Sequence, residues 1–168
     1  WLDTEITADH LALDNVESEN ATNALLAQGI GLFSNDVQIA RAGRIQNVRG
    51  NELAKTPSFT GNVALNWTDD LSWGELKGTI QYTYRGGFKH RIFNNNTTDL
   101  VPNYDVLDVM LGFYPAGAQN NLRFELIGKN LFDKDGINAR FTDVFGVGAT
   151  GDELIAPRQI MLRIGAEF

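Results

Sequence analysis

Three patterns in this chain could support ligand or metal chemistry, and each lacks part of what that chemistry needs. Residues 146–151 read G-V-G-A-T-G, the glycine spacing of a dinucleotide-binding loop, but Pro157 follows too soon for the helix that would hold a pyrophosphate. Residues 133–136 read D-K-D-G and begin like a calcium loop whose later ligands are missing. His10 and His90 are isolated, and the chain has no cysteine. We therefore predict loops and turns here, with no metal and no cofactor.

Carboxylates on alternating segments are the remaining candidates for acid–base catalysis. They are Asp3, Glu5, Asp108, Glu125 and Glu167. Carboxylates on a polar strand face are usually only solvated, and no arrangement of serine, histidine and aspartate accompanies them. We predict that the chain is not an enzyme.

Arginines between the alternating segments could bind an anionic ligand, because a guanidinium can donate two parallel hydrogen bonds to an anion. The candidates are Arg44, Arg91 and Arg140, with Arg41 and Arg49 as further loop arginines. Solvation at the surface is the alternative for each of them.

Composition excludes several classes of protein. The 168 residues include 14 Lys and Arg against 21 Asp and Glu, a net charge of -7, which argues against nucleic-acid binding. No apolar run approaches the roughly 18 residues of a membrane helix, although a membrane-spanning strand would escape this test. The chain opens at Trp1 without a signal-peptide pattern, as a fragment of a longer protein would.

The dominant period is two, which places apolar and polar side chains on opposite faces of β-strands. In residues 76–85, for example, Leu76, Ile80 and Tyr82 alternate with Lys77 and Gln81. Helical spacing would put charges inside every apolar stripe. The alternating segments are residues 59–68, 76–85, 107–114, 122–129 and 159–168, with a truncated sixth at residues 1–7.

Alternation fits both a soluble sandwich and a membrane barrel, so strand length and connections must distinguish them. Several runs reach nine residues or more, longer than most soluble strands. The connections alternate between long and short: residues 8–56, 89–103 and 133–157 are long, and residues 69–73 and 115–121 are short. Long loops on one side and short turns on the other are typical of outer-membrane barrels.

Aromatic residues lie near the ends of the runs, where membrane barrels carry aromatic girdles. The girdle candidates are Phe59, Trp67, Trp73, Tyr84 and Phe113. Ordinary core aromatics are the alternative.

These features predict an all-β fold, an antiparallel up-and-down meander of about six long strands that forms part of a transmembrane β-barrel. Residues 1–7 would be a partial strand, residues 8–56 a long extracellular loop, and residues 57–168 five strands. Residues 14–33 could form a short helix within the first loop or simply pack as loop.

Four motifs between residues 50 and 168 resemble the last strands of a TonB-dependent outer-membrane receptor. They read G-N-E-L-A-K-T-P at residues 50–57, Y-D-V-L-D at residues 104–108, G-K-N-L-F-D-K at residues 128–134, and P-R at residues 157–158 before an alternating run to Phe168. The resemblance implies a C-terminal segment of a barrel of about 22 strands, without its plug domain.

That resemblance implies location, partners and function. The whole receptor would sit in the outer membrane of a Gram-negative bacterium and take up a scarce nutrient such as a ferric siderophore. Its partners would be outer-membrane lipid, the TonB complex through the plug domain, and the barrel-assembly machinery. The last strand would face lipid and carry the assembly signal in Ile160, Leu162, Ile164, Ala166 and Phe168. The alternatives are a passive outer-membrane channel or structural barrel, and a soluble β-sandwich binding module.

Overall fold

The chain is mostly β, with antiparallel sheets and two short helices. A computed structural model of the chain describes residues 1–41, 43–117, 122–142 and 149–166. The strands are β1 Leu11–Asp14, β2 Arg44–Asn47, β3 Thr60–Leu71, β4 Gly74–Arg85, β5 Phe88–Lys89, β6 Leu100–Val101, β7 Tyr104–Pro115, β8 Arg123–Lys129, β9 Ile137–Thr142, β10 Thr150–Leu154 and β11 Gln159–Gly165; the helices are α1 Asn15–Ala27 and α2 Asn35–Arg41.

Five strands form the main sheet, in the order β11-β8-β7-β4-β3, with every neighbouring pair antiparallel. The strands follow one another through the sheet in chain order, which makes an up-and-down meander. Three of them, β3, β4 and β7, are 12 residues long. The antiparallel meander agrees with the sequence prediction, but it has five strands rather than about six, and β8 and β11 are only 7 residues long. Residues 89–103 and 133–157 were predicted as loops and instead contain β6, β9 and β10.

Strand boundaries differ from the prediction because ladder hydrogen bonds extend past the apolar run. The predicted turn at residues 69–73 is shorter, since Asp69 pairs with Leu76 and Asp70 pairs with Glu75. At the next turn, after β7, Gly117 adopts φ +67°, a left-handed conformation that suits glycine.

The predicted partial strand at residues 1–7 is wrong, because this segment has no strand assignment. Its backbone bonds to loop residues instead: Leu2 N–H donates to the Ser58 carbonyl at 2.8 Å, and Ile6 N–H donates to the Asn51 carbonyl at 2.9 Å. Of its three apolar residues only Leu2 and Ile6 share one face, which is too little alternating apolar surface to hold a strand in a sheet.

Residues 8–56 were predicted as one long loop and instead contain both helices and the antiparallel pair of β1 and β2. Asp14 starts α1, because its carboxylate accepts hydrogen bonds from the backbone N–H groups of Val16 and Glu17. Ser34 does the same for α2 through Val37 N–H. The short helix considered for residues 14–33 is therefore present.

The chain forms two compact units, which we call the loop unit and the sheet unit. The loop unit comprises residues 1–58, 87–102 and 137–153, and the sheet unit comprises residues 59–86, 103–136 and 154–168. By register, the starts of β3, β7 and β11 and the ends of β4 and β8 lie at one end of the sheet. The long connections therefore leave the sheet at that end, and the short turns close the other.

Candidate functional site

The main sheet has one apolar face, because the register aligns the apolar positions of all five strands. One cross-strand row contains Trp67, Gly78, Leu111, Leu126 and Leu162. The row beside it contains Leu65, Ile80, Val109, Gly128 and Ile160. Charged side chains on this face stand only near its ends, at Asp69 and Asp105. The middle of the face is continuous hydrocarbon.

This apolar face is open rather than packed into a core. Leu65 is 62% exposed, Leu162 is 69% exposed, and Val63, Leu126 and Ile160 are exposed as well. Soluble monomers rarely leave a contiguous apolar surface of this extent uncovered, and such surfaces mark contact with a membrane or another protein.

The opposite face is mostly polar and bonded across the strands, although Met110, Ile127 and Met161 form one apolar row on it. Lys129 Nζ lies 2.8 Å from Asp108 Oδ2, and the Arg163 guanidinium pairs with the Glu125 carboxylate. Asp108 and Glu125 were candidates for acid–base chemistry, and the structure pairs each with a cation. Hydrogen bonds also join Asn62 to Thr83, Thr79 to Asn66, and Tyr114 to Glu125.

Two aromatic pairs stand at opposite ends of the apolar face. The ring centroids of Phe59 and Tyr84 are 5.9 Å apart at the end with the long connections, and those of Trp73 and Phe113 are 4.7 Å apart at the end with the short turns. Because Phe113 pairs with Leu76, the two levels are eight residues apart along β4, about 27 Å. Four of the five predicted girdle residues thus form two separate levels.

The fifth girdle candidate, Trp67, lies between these levels. It pairs with Gly78 inside the ladder, and its indole occupies the space that a side chain at position 78 would fill. The strand-end pattern in the sequence could not distinguish this packing role from a girdle role.

The terminal strand ends at Gly165, earlier than predicted. Ile160, Leu162 and Ile164 alternate on the apolar face and are all exposed. Ala166 follows the strand and is exposed, and Phe168 lies outside the described residues.

Arg91, a candidate ligand residue, is held inside the loop unit by two carboxylates. Its Nη1 lies 2.7 Å from Asp14 Oδ1, and its Nε lies 2.7 Å from Asp99 Oδ1. Both carboxylates are fully buried. The guanidinium therefore has its charge satisfied within the fold and holds the start of α1 to the hairpin formed by β5 and β6.

Arg140 is also engaged within the fold. Its Nε and Nη2 donate to the two oxygens of Asp152 at 2.6 and 2.8 Å, and its Nη1 donates to the Leu100 carbonyl at 2.8 Å. The hydrogen bonds from Arg140 hold the pKa of Asp152 below its ordinary value. Arg140 thus fastens the β9–β10 hairpin to β6.

Arg44 is the predicted arginine that remains open to solvent. It lines a groove of about 490 Å³ between α1 and α2, with Ala24 and Ile39, and a second depression of about 460 Å³ beside Glu17 and Asn95. Within the ranges that the structure describes, no carboxylate forms an ion pair with its guanidinium. The three predicted arginines are therefore not brought together into one site.

Sequence reasoning missed the buried polar residues that organise the loop unit. Asp14 and Asp99 are fully buried, and His90 is 6% exposed with Nε2 3.1 Å from Thr142 Oγ1. Their only sequence signal is Asp14 ahead of a helix-forming run, which fits an N-cap. Hydrogen bonds and ion pairs between segments that are distant in sequence leave no pattern in the neighbouring residues.

Comparison with known proteins returned no matching family model, curated protein or solved structure. None of the helices in the described ranges has the length and apolar character needed to cross a membrane. Across the same ranges, histidine and carboxylate side chains form no group of three or more suited to a metal ion.

Proposed function

We propose that the sheet unit is a stretch of the wall of an outer-membrane β-barrel, and that the chain is the C-terminal part of a TonB-dependent receptor. The whole receptor would take up a scarce nutrient, such as a ferric siderophore, from outside the cell. One observation carries this proposal: a five-stranded apolar face, free of charge in its middle, lies exposed between two aromatic levels.

Strand dimensions support a membrane location. A strand of 12 residues is about 40 Å long, and a tilt of about 45° reduces its height to about 28 Å. That height matches a hydrocarbon core of about 30 Å. At the same tilt the two aromatic levels, eight residues apart along β4, would differ in height by about 19 Å, so their rings would reach toward the two interfaces, where an apolar ring with a polar edge is most stable.

The other surfaces take complementary roles under this proposal. The polar face, with pairs such as Asp108–Lys129, would line a wet interior. The long connections would face outward, with Arg44 available to contact an anionic ligand. The outer edges of β3 and β11, unpaired within the described sheet, would pair with other strands of the barrel, because lipid does not tolerate open backbone groups.

Reversing the polarity of one position tests the membrane face. In the full-length protein, Leu65→Lys should cost about 2–4 kcal/mol of barrel stability, because the lysine would sit in hydrocarbon. The matched control is Asn66→Lys, one residue along β3 on the polar face, which should be tolerated. A soluble protein would accept both lysines at exposed positions, so equal tolerance would count against the proposal.

Energy dependence separates active transport from the passive channel that shares this geometry. Cells carrying the gene should accumulate one member of a panel of ferric siderophores, and a proton uncoupler should stop that accumulation. If uptake continues unchanged in the presence of the uncoupler, the protein would instead be a passive channel. A full-length protein that stays dissolved without detergent would favour the soluble sandwich.

A further inference from the structure

The loop unit contains a buried polar cluster, which we call the His90 cluster: His90, Arg91, Asp99, Asp14 and Thr142. Their side chains come from three segments that are distant in sequence: the β1–α1 junction, the β5–β6 hairpin and β9. Asp14 and Asp99 have no exposed surface, and the His90 side chain is 4% exposed. A buried histidine at the meeting point of three segments is placed to make their association depend on pH.

We propose that the His90 cluster is an acid-sensitive latch, which holds these three segments together at neutral pH and loosens when His90 gains a proton. This inference concerns the loop unit alone and does not depend on the membrane location of the sheet.

The bonding around Asp99 explains why an added proton would disturb the cluster. Asp99 Oδ1 accepts from Arg91 Nε at 2.7 Å and from the Thr98 hydroxyl at 3.2 Å, and its Oδ2 accepts from Asn95 N–H at 3.0 Å. His90 Nε2 lies 3.6 Å from the same Oδ1. A protonated ring would compete with Arg91 for that oxygen and weaken the arginine's bridge from Asp99 to Asp14.

Charged groups on the neighbouring segments also influence how readily His90 binds a proton. Asp99 favours the charged ring, whereas Arg91, Arg140 and Lys55 oppose it. Asp152 also faces His90, but Arg140 already pairs with it. Burial is the largest effect and lowers the pKa of His90 below its ordinary value near 6.5.

The sign of the pH effect follows from that direction. An opened loop unit, with His90 in water, binds the proton more readily than the closed one. The closed form is therefore fully favoured above the ordinary histidine value and loses stability as the pH falls through it.

Hydrogen exchange on the full-length protein in detergent tests the latch. After correction for intrinsic exchange, amides of residues 88–101 should open roughly threefold or more often at about pH 5 than at about pH 7.5. Amides of β4 serve as an internal control and should show no change. His90→Gln should abolish the pH response of residues 88–101, and the exposed His10→Gln should retain it.

Three results would overturn the proposal. The first is a wild-type protein whose residues 88–101 open equally often at both pH values, a comparison that needs no variant to fold. The second is a His90→Gln protein that keeps the wild-type response, which would assign the titration to another group. The third is equal loosening of β4, which would indicate global unfolding.

Discussion

The indole ring of Trp67 lies against Gly78, its cross-strand partner on β4, and fills the space above the glycine backbone. A Cβ atom built at position 78 would overlap the six-membered part of the indole. The pair keeps a large ring on the apolar face, within the β3–β4 ladder at one edge of the sheet. This packing also explains why a glycine occurs within an otherwise apolar stripe of β4.

Gly78→Ala should therefore destabilise the sheet by about 1–3 kcal/mol, because the ring must leave its position. The unfolding midpoint of the full-length protein in denaturant measures this loss. Gly151→Ala is the control, since a Cβ there meets no atom within 4 Å, and it should change stability by less than about 0.5 kcal/mol. Equal midpoints for both variants would mean that the ring does not depend on the glycine.

Asn130 fastens the end of β8 to the approach to β11. Its Nδ2 donates to the carbonyls of Lys134 and Ala156, each at 3.0 Å, and its Oδ1 accepts from Lys134 N–H at 3.0 Å. Asn130→Ala should cost about 2–3 kcal/mol, because three bonds at a buried site are lost.

Asn62→Ala is the matched control for that substitution, because it removes one exposed bond to Thr83 and should cost about 0.5 kcal/mol or less. Asn130→Gly separates two contributions, since glycine tolerates the left-handed φ of 48° but supplies no hydrogen bonds. If Asn130→Gly were as stable as the wild type, the side-chain hydrogen bonds of Asn130 would contribute nothing to stability.

Arg91 should behave as a structural residue of the loop unit. Arg91→Ala leaves two buried carboxylates without their cation and should cost about 3–5 kcal/mol of local stability, measured by exchange of amides in α1 and residues 88–101. Arg49→Ala removes an exposed pair with Asp9 at 3.4 Å and should cost less than about 1 kcal/mol. Similar losses for both would contradict the organising role of Arg91.

The Arg140–Asp152 pair predicts a second, more acidic pH response. Because Arg140 holds the pKa of Asp152 below its ordinary value near 3.8, the pair stabilises the β9–β10 hairpin above that value and loses this contribution as the pH falls below it. Asp152→Asn should weaken the hairpin at neutral pH and flatten its loss of protection below about pH 4. Asp9→Asn, at an exposed pair, should leave the acid response intact.

The sequence alone predicted the sheet, because the alternation of apolar and polar residues that indicates a strand lies within each strand. Each long strand carries its own alternation, and Gly117 and the short connections mark the turns, so the segments at residues 76–85 and 107–114 lie within β4 and β7. The strand-end pattern in the sequence also located the ring pairs Phe59–Tyr84 and Trp73–Phe113. It did not predict the packing of Trp67, because that packing depends on a glycine of another strand.

The loop unit was not predictable in the same way. Its order depends on ion pairs such as Asp14–Arg91, which join residues 77 positions apart. Nothing in the local sequence distinguishes Arg91 and Arg140 from solvated loop residues, so the sequence left them as candidate ligand contacts, with surface solvation as the alternative. Ion pairs between such distant residues form only when the whole unit folds and brings the partners together.

Spin labels along β4 test the central claim most directly. Because these 168 residues contain no cysteine, a single cysteine introduced between positions 76 and 83 is the one labelling site in this segment of the full-length protein in bilayers; Gly78 is left out because the Trp67 indole covers it. Positions 76, 80 and 82 should be accessible to oxygen dissolved in lipid, and positions 77, 79, 81 and 83 to a water-soluble nickel reagent. Accessibility without a period of two, or access of the nickel reagent to every position, would contradict a membrane-facing sheet.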